Sequence, residues 1–133
     1  MADRYWVNGT GNWSNTARWS ATPGGSSGAS VPSTGDSVFF DRAATYSVTF
    51  DSFICYCLNF TVSAGTVTFI KTNSQYIYGS LLFTVVPIFS GSATTRFVST
   101  NTGQTITTNG STLAGSLTFD GAGGEWTLGS ALT

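Results

Sequence analysis

Histidine is absent from the 133 residues, and charge is scarce: five Lys and Arg face six Asp and Glu, 8% of the chain, for a formal net charge of −1. A soluble domain ordinarily carries about a quarter of its residues as charges. Without an imidazole, Ser-His-Asp chemistry, Cys-His chemistry and His-ligated metal sites are excluded within this chain. Five cations argue against a nucleic-acid partner, whose phosphates call for clustered Lys and Arg. Long hydrophobic runs are missing too. The longest nearly apolar stretch, Leu81 to Phe89, contains Thr84 and Pro87 and falls far short of the roughly 20 residues of a spanning helix, so no membrane insertion is expected. The opening Met1 to Val7 has neither a basic nor an apolar signal region, which predicts no secretory export.

What is abundant is hydroxyl, glycine and aromatic character. There are 22 Thr, 18 Ser and 16 Gly, with 41% hydrophobic and 14% aromatic residues. That apolar content with little net charge argues against disorder, and the length suits one domain. Helix formers are scarce and no window sustains a 3.6-residue period. The composition predicts an all-β chain.

Three zones follow in order. Residues 1–20 hold Trp6, Trp13 and Trp19 among Asn, Gly, Ser and Thr, an aromatic cluster joined by turns. Residues 21–37 contain Pro23, Pro32 and a Gly/Ser run, and read as an irregular, flexible surface loop. Residues 38–133 alternate short β-favouring runs with turn residues: 37–40, 46–50, 54–62, 66–70, 76–85, 94–99, 104–108, 116–119 and 126–128. Gly79-Ser-Leu-Leu-Phe83 and Gly115-Ser-Leu-Thr-Phe119 resemble each other 36 residues apart. Half that separation, about 18, suggests the coil of a short parallel β-helix. An antiparallel β-sandwich or jelly roll satisfies the same string. The segment Gly124 to Thr133 stops in the middle of the strand rhythm with no charged or helical cap, which predicts an open β end to be covered by further chain or another subunit.

Arg4 to Ser20, followed by Val31-Pro32 and Asp36-Ser-Val-Phe-Phe-Asp41, resembles the opening of β-solenoid proteins found in tailed-bacteriophage virions, notably fibres and their attachment regions, and in bacterial surface adhesins. The likeness covers residues 4 to 41; beyond that the Leu-x-Phe rhythm supports it. Asn8 stands where many relatives have Gly, a change a turn accepts because Asn tolerates the left-handed region. The resemblance implies an aromatic N-terminal cap on stacked coils and does not imply an enzyme, since this opening is shared by proteins with several roles; the role expected is that of a non-enzymatic virion component, assembled in the host cytoplasm. It is expected to associate with copies of itself, three by analogy with fibres, and with neighbouring virion proteins.

Trp6, Trp13 and Trp19 are therefore read as the cap, with a host-surface glycan platform as the alternative. Asp36 and Asp41 flank a strand and are read as turn formers bonded to backbone N–H groups, with calcium as the alternative. No two acids fall at i, i+2 on one strand, so a hydrolytic carboxylate pair has to be assembled across coils from residues such as Asp36, Asp41 and Asp51. Cys55 and Cys57 point to the same side of one strand and are read as buried free thiols, with an intermolecular or functional pair as the alternative; two thiolates alone make no zinc site. Gly9-x-Gly11 lacks the strand and helix of a phosphate loop, and sequons at Asn8, Asn12, Asn59 and Asn109 are read as chance products of the composition. No cofactor is expected.

Overall fold

The computed structural model describes residues 2–132, so Met1 and Thr133, at the outer limits of the first and third zones, lie outside it. The chain winds into a β-solenoid of about four turns. The capping segment supplies β1 (Asp3–Trp6), β2 (Gly11–Asn12), a single 3-10 turn at Thr16–Arg18 and β3 (Trp19–Ser20). The first full turn is β4 (Ser37–Phe40), β5 (Thr45–Thr49) and β6 (Ile54–Cys57); the second is β7 (Phe60–Val62), β8 (Thr66–Lys71) and β9 (Ser74–Ile77). The third is β10 (Leu81–Phe83), β11 (Ile88–Gly91) and β12 (Thr95–Phe97). The fourth has β13 (Gln104–Thr107) and β14 (Leu117–Phe119), and β15 (Trp126–Leu128) begins another.

Stacking these turns builds three sheets, or faces. Their orders are β15-β13-β10-β7-β4-β1-β3, β11-β8-β5-β2 and β14-β12-β9-β6. Every named pair is parallel except β1 with β3. That pattern excludes the antiparallel sandwich. The two-residue β3 runs antiparallel along the outer side of β1 and leads into the 21–37 loop, which blunts an edge that otherwise offers unpaired backbone groups.

Alternation within each strand sends every second side chain inward, and register stacks them in columns. Val38, Phe60, Leu81 and Ile106 align on the first face, Val48, Phe69 and Phe89 on the second, and Cys57, Ile77 and Phe97 on the third. All are buried except Phe89, which is partly so. On the last rungs the inward-aligned Phe119 and Leu128 are 47% and 50% exposed.

The turns are longer than the repeat suggested. Cys55, Gln75 and Thr95 align at intervals of 20, whereas Leu81 aligns with Ile106, 25 residues on. The two Gly-Ser-Leu copies are not equivalent: Leu81 belongs to β10 on the first face and Leu117 to β14 on the third. Two long runs also divide. The stretch 54–62 bends between β6 and β7 at Leu58-Asn59, and 76–85 bends between β9 and β10 at Gly79.

Asn59 is a working corner. Its Nδ2 donates to Ser37 Oγ at 3.2 Å, and its Oδ1 accepts from Ser80 N at 2.8 Å. One amide thus ties three successive turns. Ser80 Oγ continues the ladder by accepting from Thr105 N at 2.9 Å.

Candidate functional site

Trp6, Trp13 and Trp19 converge on the first turn and are each 0% exposed. Trp6 and Trp13 both meet Trp19 edge-on, with centroids 5.0 Å apart in each pair, the geometry their quadrupoles favour. Phe40 lies within 6.3 Å of all three rings and also packs on Phe60 and Phe69, joining cap to core. Trp6 Nε1 donates to Gly9 O at 2.7 Å and Trp19 Nε1 to Trp13 O at 2.8 Å, whereas the buried Trp13 Nε1 has no partner. Between the rings Asn8 takes a φ of +65°, the left-handed conformation expected when Asn stands for Gly. With all three rings enclosed, none offers a face to a sugar.

The 21–37 loop is fastened to this cap. Gly28 N and Ala29 N donate to Trp19 O at 3.0 and 3.1 Å, and Arg4 Nε donates to Ser30 O at 2.9 Å. Asp36 ends the loop as a turn former. Its carboxylate accepts from Ser33 N and Ser33 Oγ, both at 2.9 Å, and from Ala2 N at 3.0 Å. Burial alone pushes its pKa up, but those bonds and the nearby Arg4 outweigh it, leaving the group below its ordinary value.

The acids do not assemble. Asp41 follows β4 and is half-buried on the first face. Asp51 accepts from Ser14 N and Ser14 Oγ, joining the cap to the corner after β5. Asp120 pairs with Arg96 on the third face. Among the described residues no group of three or more His, Cys, Asp or Glu side chains is placed to hold a metal. A shallow surface depression is lined by Ala43, Ala44, Thr45, Gly65 and Thr66, with no ionisable side chain.

Cys55 and Cys57 are free thiols in the core, as alternation required. Burial pushes Cys55 up to about 12 and Cys57 well above the ordinary thiol range. Both are held as unreactive thiols at neutral pH.

Two features escaped sequence reading. Lys71 is 1% exposed, with its Nζ donating to Thr95 Oγ1 and Ala114 O. The signal was present: Val67, Phe69 and Lys71 share one side of β8. The second is an aromatic column on the outer side of the third face, where register aligns Tyr56, Tyr76, Arg96 and Thr118. Tyr56 meets Tyr76 edge-on at 5.8 Å, and the Arg96 guanidinium lies over Tyr76 at 5.5 Å. Tyr78 completes the cluster 6.4 Å from Tyr56. Its signal was the alternation of tyrosine with Cys or Ile in Cys55-Tyr-Cys57 and Gln75-Tyr-Ile-Tyr78.

No family model, curated protein or solved structure matches the chain.

Proposed function

We propose that this protein is a non-enzymatic structural component of a tailed-phage virion, a fibre, fibre-base or surface-decorating subunit that acts by self-association and by docking to neighbouring virion proteins. The observation that carries this reading is the enclosed tryptophan cap on stacked parallel rungs, formed by the same residues 4–41 whose pattern resembles the opening of phage β-solenoid proteins. The second face supports it. Ser47, Thr68 and Ile88 align beside Thr49, Ile70 and Ser90 on its outer side, an uncharged surface. Close packing there meets neither ion desolvation nor like-charge repulsion.

The test has two parts. Mass spectrometry of virions purified from the source is expected to find peptides of this chain at stoichiometric abundance. Light scattering of the purified chain is expected to give a multiple of 13.9 kDa. Absence from virions together with a compact monomer overturns the reading.

A further inference from the structure

The outer sides of the three faces differ in chemistry. The second carries mainly Thr and Ser. The first aligns Tyr5, Phe39 and Thr61 down its middle, with Tyr5 and Phe39 stacked on each other at 4.9 Å. The third gathers Tyr56, Tyr76, Tyr78 and Val98, all half-buried, around one cation and one anion, Arg96 and Asp120. Tyrosine and arginine are among the residues enriched where protein surfaces meet, and Lys, Glu and Asp are depleted there. The tyrosine rings are braced by one another and by Arg96, so little side-chain freedom remains to be lost on contact.

We propose that the third face is where a second copy of this chain docks, face to face about a two-fold axis; this rests on the self-association reading above. The charges select that occupant. Arg96 and Asp120 sit on adjacent rungs with 39% and 37% of their side chains exposed, so the pair retains hydrogen-bonding capacity toward a neighbour. An axis lying in the plane of contact and crossing between them sets each guanidinium over the other copy's carboxylate. The intrachain pair becomes a ring of four alternating charges. A surface with one charge of each sign beside an apolar aromatic field is self-complementary, as an isologous contact requires. An acidic or basic partner instead meets one charge of its own sign.

The patch is small. Four rungs at about 4.8 Å and five residues at about 3.3 Å give a field of roughly 19 by 17 Å, roughly 650 Å² over both copies, below the range of stable interfaces, so the contact is a weak and transient one. Association micromolar at the tightest is expected, and of two copies rather than three.

Sedimentation equilibrium of the 133-residue chain, from about 1 to about 500 µM, tests this. The wild type is expected to move from one to two chain masses across that range, and Tyr76→Ala to raise the midpoint at least about tenfold. Arg96→Asp and Asp120→Arg, each checked by circular dichroism, are expected to stay monomeric alone because each brings like charges together. Mixed one to one, they are expected to form a heterodimer, since their charges are then complementary. That recovery separates a contact between copies from the intrachain pair, which the mixture does not restore. A wild type that stays monomeric throughout overturns both this inference and self-association. Association indifferent to all three substitutions overturns the inference and leaves self-association standing. Retention on a glycan array that Tyr76→Ala abolishes without changing the oligomer mass assigns the face to a sugar and overturns it as well.

Discussion

Lys71 Nζ and Thr95 Oγ1 lie 2.7 Å apart inside the solenoid, one turn reaching up to the next. The same ammonium donates to Ala114 O in the fourth turn and lies 5.9 Å from the Phe89 ring. Across residues 108–116 the fourth turn has no strand on the second face, and the lysine supplies a donor to the backbone there. Burial lowers its pKa to about 8.

Stability is expected to depend on pH through this group. Between about 8 and 10.5 the unfolded chain binds the lysine proton more tightly than the folded one, so stability rises with pH. The thiols act oppositely: Cys55 and Cys57 are raised in the fold, so their contribution falls as pH passes the ordinary thiol value near 9. Thermal melts under reducing conditions should show a shallow maximum just below pH 9, with a gain of only about 0.3 kcal/mol between 8 and 9 because the thiols offset most of the lysine's contribution. Lys71→Met should abolish the rising limb and keep the alkaline fall. A variant profile parallel to the wild type contradicts the assignment.

The parallel solenoid was legible because strand composition, near-absence of helix formers and the tryptophan-rich opening agreed. The coil length was not. Gly-Ser-Leu marks corners, and a three-cornered coil has several, so Leu81 and Leu117 carry like neighbours on different faces. The strand β11 was hidden because Pro87 precedes it and its Ile88-Phe-Ser-Gly91 is short. The cap was legible as a cluster of rings, while its pairing of β1 on β4 depends on contacts more than 30 residues apart that no local pattern encodes.

Enclosure of the cap has a spectroscopic consequence. Three of the four tryptophans are fully shielded and Trp126 is partly exposed. Acrylamide should quench only a minor fraction of the emission, and Trp126→Phe should remove most of that fraction. Trp13→Ala should cost about 3–5 kcal/mol in urea unfolding, the range for a large aromatic removed from a core. Emission quenched uniformly by acrylamide, or a loss below about 1 kcal/mol, contradicts a closed cap.

Asp36 should govern the acid limb. Its depressed pKa means that its stabilisation is full above the unfolded carboxylate value near 3.9 and is lost as pH falls through the lower folded value. Asp36→Ala leaves Ala2 N and Ser33 N without their acceptor, at a cost of about 2 kcal/mol at pH 7. That difference from wild type should shrink below about pH 3. A constant difference across the acid range points instead to lost packing.

The Asn59 corner makes the sharpest test of the stacking itself. A Cβ built on Gly79 comes within 2.2 Å of Asn59 Oδ1 and 2.9 Å of Leu58 O, because the turn above presses its backbone onto the amide below. Gly79→Ala must therefore displace the amide that accepts from Ser80 N, and is expected to destabilise by about 2–3 kcal/mol. Asn59→Ala removes the bonds to Ser37 and Ser80 and should cost about 1–2 kcal/mol. In the double variant the closest clash has gone while the 2.9 Å approach to Leu58 O remains. The combined loss should therefore fall short of the sum of the single losses by about 1 kcal/mol or more, a coupling expected only of residues in contact. Urea unfolding of the four proteins measures it. Simple additivity means that Gly79 and Asn59 do not meet, and the alignment of the second turn on the third is then wrong.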